Sequence, residues 1–108
     1  MSGEDFVGLV FNEKEQLKKE FFNERSKSLV ARKINDLTSK GVPKEQLYEL
    51  VELILTDVYY GLLLGLDGAA SLGGVQAEYK ISDEDGNIIN DCGELEASAY
   101  EYFYEKDV

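Results

Sequence analysis

The side chains in this sequence with a catalytic repertoire of their own are its carboxylates. Twenty-two Asp and Glu stand against eleven Lys and Arg, with no histidine and one cysteine. Without histidine the commonest general base and metal ligand is missing, and Ser-His and Cys-His nucleophiles are excluded. Asp57 stands out because it interrupts an apolar run, following Leu53, Ile54 and Leu55 and preceding Val58. At 100° per residue it lies about 20° from Leu50, on the side of Leu47 and Ile54. That angle predicts burial, which would make Asp57 a candidate acid or base, with Asp67 a second carboxylate ten residues on.

Other chemistry fails on spacing. Cys92 sits between Asp91 and Glu94 with no cationic neighbour in sequence, and negative charge disfavours a thiolate. One cysteine and no histidine cannot make a Cys/His zinc site. The Asp83–Asn87 stretch has the tone of a calcium loop, but aligning Asp85-Gly86 to its fifth and sixth positions puts Ile81 first and Cys92 twelfth. Gly68 to Gly74 is followed by no Lys-Ser/Thr and follows a helix, so it is not a phosphate loop. The sequence therefore predicts no catalytic residue, no cofactor and no metal.

Charge distribution points to binding. Residues 1–12 carry −2; residues 13–44 hold nine cations against five anions, +4; residues 45–108 hold two against fifteen, −13; together −11. An acidic half of this kind is unsuited to nucleic acid. It suits a basic protein partner, with Asp83, Glu84, Asp85, Glu94, Tyr100, Glu101, Tyr104 and Glu105 as the candidate contacts, tyrosine being favoured at interfaces.

The elements that must position these residues fit one domain over 1–108. The organising stretch is Pro43 to Leu66, a long helix. Leu47, Leu50, Val51, Ile54, Val58 and Leu62 recur at threes and fours as its core-facing stripe, and Lys44, Glu45, Glu49 and Glu52 form its polar face. After Val58 it is apolar almost all round, which predicts cover on several sides. The dense run from Val58 to Leu66 is too short for a membrane span. Upstream, Phe6–Phe11 reads as a short helix led by Ser2 or as a strand. Asn12 and Glu15 open a helix at Glu13 that runs toward Lys40 and breaks near Ser26, with Gly41 and Val42 as a Schellman ending. Downstream, Val75, Ala77, Tyr79 and Ile81 alternate with polar residues, and Asp85-Gly86 offers a turn into Asn87-Ile88-Ile89. A last helix is expected from Gly93 to about Lys106. The fold class that follows is α+β: N-terminal helices, a buried central helix, one β-hairpin over 75–91 and a C-terminal helix.

With a lone cysteine and no secretory segment, the chain is expected in the cytoplasm. The leading functional expectation is a non-catalytic module binding a basic partner. One alternative is a self-associating protein that buries Phe6–Phe11 and the central helix in a homo-oligomer. The other is a carboxylate enzyme built on Asp57.

Overall fold

Ser2 begins the first helix. A computed structural model describes residues 1–105, and in it α1 runs over Gly3–Phe21. The Ser2 hydroxyl accepts from Asp5 N while Asp5 accepts from Ser2 N, a reciprocal capping box that satisfies two otherwise orphan donors. Phe6–Phe11 is thus helical, and the helix expected to open at Glu13 opens ten residues earlier; Asn12 and Glu15 lie inside it. The break near Ser26 is present. α1 ends at Phe21, and α2, Leu29–Ser39, starts under a Ser28 cap whose hydroxyl accepts from Ala31 N.

Two Schellman endings punctuate the chain. After α2, Val42 N donates to Leu37 O and Gly41 N to Thr38 O, with Gly41 at φ 99°. After α3, Lys44–Leu66, Ala69 N donates to Leu64 O and Gly68 N to Gly65 O, with Gly68 at φ 76°. α3 has 23 residues, about 35 Å at 1.5 Å each, and sets the long dimension of a molecule of 48 × 29 × 26 Å.

The β-hairpin over 75–91 does not form, so the α+β assignment is corrected: among the described residues the fold is helical and carries no strand. Two isolated bridges remain, Leu72 with Val75 and Ser82 with Ile88. The first closes around Gly73 and Gly74, both at positive φ, the reversal a two-residue turn demands. The second closes around Asp83, whose carboxylate accepts from the backbone of Asp85 and Asn87. Between them a side chain replaces the ladder. Asn90 Oδ1 accepts from Ile81 N, and its Nδ2 donates to Tyr79 O and Leu66 O. Alternation at 75–81 is real in sequence, but Val75 and Tyr79 are exposed, and one hairpin without a packed face is marginal.

A single 3₁₀ turn, Asp91–Gly93, leads into α4, Glu94–Tyr100, which continues as a π turn over Glu101–Glu105. The expected end near Lys106 lies outside the described residues. α4 borrows its cap: Asp67 Oδ2, from the end of α3, accepts from Glu96 N, while Glu94 accepts from Glu4 N at the start of α1. These exchanges tie three helix ends together around a core of Val7, Leu63, Leu95 and Ala99, joined by Phe6, Val10, Tyr102 and Phe103. The start of α1 lies so close to the segment leading into α4 and to its first residue that Gly3 has no room for a side chain between the Ile89 carbonyl and the Glu94 side chain.

Candidate functional site: the outward apolar face of α3

In the first half of α3 one residue of the polar face, Glu52, is turned in, while Lys44, Glu45 and Glu49 stay exposed. Leu50, Leu53, Ile54, Val58 and Leu62 are 53, 58, 50, 57 and 42% exposed. They cover about 180° of the helix at 100° per residue, with Gly61 open to space in their midst. The side chains buried on the opposite arc are Leu55, Thr56 and Leu63. Of the stripe expected to face the core, Leu50, Ile54, Val58 and Leu62 therefore face outward while Leu47 and Val51 are half-buried, and the cover expected on several sides after Val58 is absent on this one. At about 1.5–3 kcal/mol for each aliphatic side chain fully buried, these five half-exposed ones leave on the order of 5 kcal/mol of burial unrealised.

An ion cluster explains the inversion. α1 presents Lys14 and Lys18, one helical turn apart and only 2 and 8% exposed. Glu52 of α3 bridges them, accepting from Lys14 and from Lys18 at 2.6 Å, with Glu15 completing the set. Lys14 Nζ also lies 5.4 and 5.5 Å from the Phe11 and Phe103 ring centres, and Lys18 Nζ 5.0 Å from that of Tyr48. Once Glu52 is turned to α1, the residues on the opposite side of α3 are turned away. Burial disfavours the Lys18 ammonium, but hydrogen bonds to Glu52, Tyr48 and Glu15 outweigh it and hold its pKa well above the usual lysine value. Burial likewise opposes the Glu52 carboxylate, and the two lysines overcome this and lower its pKa. A lysine held protonated has no lone pair for base or nucleophile chemistry; the cluster positions helices. The sequence placed Glu52 on a solvated face, and the signal that relocates it is the Lys14/Lys18 pair at i, i+4, legible only once α1 is known to lie opposite.

The candidate partner residues fall into two groups. Asp83, Glu84, Asp85 and Glu94 belong to the end of the molecule where α1 and α4 begin. Asp83 is committed to its own turn and to the Met1 amine at 2.9 Å; the Asn87 amide and that amine hold its pKa well below the usual carboxylate range. Glu94 is partly buried against Glu4, whereas Glu84 and Asp85 are exposed. Tyr100, Glu101, Tyr104 and Glu105 lie at the far end of α4. Tyr100 and Tyr104 stack at 5.8 Å and 28°, both about half exposed, and Tyr104 meets Tyr60 of α3 edge-on at 4.8 Å. The two groups do not merge into one acidic face.

Asp57 is exposed. Its angular relation to Leu50 and Ile54 holds, but that face is the outward one, so the predicted burial is overturned. Asp67, ten residues on, is about 15 Å away along the helix, so the two carboxylates do not share a site. Asp67 instead lines a cleft of about 780 Å³ with Gly68, Gln76, Tyr79, Asn90 and Cys92. Its Oδ1 is buried without a hydrogen-bond partner among the described residues. Cys92 is exposed at φ 54°, and neighbouring Asp91, then burial and Glu94, push its thiol pKa up. Among the described residues no three His, Cys, Asp or Glu are placed to hold a metal ion. No helix among them is long and apolar enough to cross a membrane.

Comparison with protein-family models, with curated proteins and with solved structures finds no match to this chain.

Proposed function

We propose that the chain is a non-catalytic protein-interaction module whose contact surface is the outward stripe of α3. The observation that carries this reading is the inverted packing of α3, with Glu52 turned in and Leu50, Leu53, Ile54, Val58 and Leu62 turned out. A contiguous apolar patch on a helix, rimmed by polar residues, is characteristic of a docking surface. Radical footprinting tests it. In extract of the native host Leu53, Ile54 and Val58 are protected, and in dilute purified protein they are labelled. Leu29, 80% exposed on α2, is labelled equally in both and serves as the control. Equal labelling of the stripe under both conditions sinks the proposal.

A second reading keeps the acidic C-terminal half as the surface for a basic partner. The stacked, half-exposed Tyr100–Tyr104 pair beside Glu101 and Glu105 favours it. Substituting both tyrosines with serine abolishes such binding and leaves α3-dependent association intact; the opposite pattern removes this reading.

A further inference from the structure

We infer that the segment from Gln76 to Ser82 is an open strand edge that takes an extended, basic peptide of a partner protein. This surface is separate from the α3 stripe. Backbone hydrogen bonding between Val75 and Asp83 follows a parity: every bond falls on an odd-numbered residue. Val75 pairs with Leu72, Tyr79 O and Ile81 N with the Asn90 amide, Ile81 O with Ile89 N, and Asp83 N with Asn87 O. Gln76, Glu78, Lys80 and Ser82 are exposed, and their backbone groups have no hydrogen-bond partner among the described residues. The chain makes no turn or bend over this stretch. In an extended chain successive residues turn their N–H and C=O to opposite edges. One edge is therefore spent on the molecule itself, and the other is left open. A row of unpaired donors and acceptors is a template for a further strand, bound through its main chain.

Charge names the occupant. Asp83 is committed to its own turn and to the Met1 amine. Glu78, Glu84, Asp85 and Asp91 are exposed and in no ion pair among the described residues, and Lys80 is the one cation from Val75 to Asp91. The cleft of about 780 Å³ that residues 76–80 border adds the Asp67 carboxylate and gives room for a side chain. Val75, Tyr79 and Ile88 supply exposed apolar ground beside these charges. The segment that fits alternates apolar side chains with lysine or arginine. Two copies of so acidic a stretch repel, which leaves a foreign chain as the partner.

The probe is an end-blocked heptapeptide alternating valine with lysine, titrated into the isotope-labelled chain while amide shifts and exchange are followed by NMR. The amides of Glu78, Lys80 and Ser82 are expected to shift and to exchange more slowly, while those from Leu50 to Leu62 on α3 stay unchanged. A peptide alternating valine with glutamate binds at least several-fold more weakly. Two variants separate backbone from charge. Glu78→Gln keeps the amide and weakens binding a few-fold. Glu78→Pro removes an N–H that is free in the unbound chain, so helical circular dichroism is unchanged while binding falls about a further tenfold. Equal weakening by the two variants reduces the contact to charge and overturns strand addition. No shift at millimolar peptide, or shifts confined to α3, overturns the site. Protection of residues 78–82 that grows with the concentration of the chain alone makes a second copy the occupant and overturns the foreign partner.

Discussion

Glu52 is the residue on which the arrangement of α3 turns. It neutralises two lysines that are nearly sealed between α1 and the aromatic rings of Phe11, Phe103 and Tyr48. Removing one partner of a fully buried pair costs about 3–5 kcal/mol; Glu52 keeps about a third of its surface open, so Glu52→Ala is expected to cost roughly 2–3 kcal/mol, read as a lower midpoint in urea. The pH dependence follows from the two shifts. The folded pKa of Glu52 lies below its unfolded value of about 4.3. Its contribution is therefore present above that value and is lost as pH falls through the folded pKa. Lys18 is raised, so its contribution is present below about pH 10.4 and is lost only above its folded pKa. Thermal unfolding of wild type and Glu52→Gln should differ by a constant amount from neutrality to about pH 5 and converge in acid; a gap that persists at pH 2 contradicts the cluster. Asp57 tests the outer face. A partner seated on the α3 stripe would desolvate this carboxylate, so Asp57→Asn should tighten binding there several-fold while leaving the stability of the free chain within about 0.5 kcal/mol. Unchanged binding in the variant would place Asp57 outside the contact.

At the level of elements, the segment from Ala69 to Asn90 is held by side chains where a ladder was expected. Asn90 serves three backbone groups, Ile81 N and Tyr79 O of the expected strand and Leu66 O at the end of α3. Asn90→Ala is expected to free them and raise amide exchange from Gln76 to Ile81, costing about 1–3 kcal/mol as buried groups lose partners. Unchanged exchange there would mean the segment is fixed by other contacts. The α1–α4 contact gives a sharper case. A Cβ at Gly3 would strike the Ile89 carbonyl, which is backbone and cannot swing aside, as well as the Glu94 side chain. Gly3→Ala is thus expected to destabilise by about 1–3 kcal/mol, although alanine at an ordinary helical position stabilises relative to glycine. A neutral or stabilising result would show that α1 enters the fold more loosely.

The whole molecule carries −11, so two copies repel at a distance. Salt screens that repulsion within about 10 Å at 0.1 M and leaves the apolar contact untouched. Any self-association through α3 should therefore strengthen from low to moderate salt. Capture of a basic partner by Glu101, Glu105 and the tyrosines beside them should weaken over the same range. Light scattering and a binding titration at two ionic strengths separate the two, and a salt-weakened dimer would count against an interface carried by the α3 stripe.

Local signals in the sequence determined the helix boundaries closest to their capping residues. Gly41 with Val42 ended α2 as expected, Asp67-Gly68 ended α3, and the polar stretch around Ser26 broke the first helical region. Such events are decided within five or six residues, by positive φ, caps and orphan carbonyls. The periodicity of α3 was equally legible, and so was the 20° between Asp57 and Leu50. Which face turned inward was not, because an apolar stripe is equally periodic whether its cover comes from the same chain or from another molecule. That choice was made by Lys14 and Lys18, 34 residues or more away from Glu52, whose buried charges required its carboxylate. Tertiary structure also decided against the hairpin: alternation from Val75 to Ile81 marks a chain able to pair, and a sheet needs a partner face that this helical core does not offer. The sequence by itself determined where the helices stop and how its charge is divided; only the packing of α1 on α3 decided which apolar surface was left exposed.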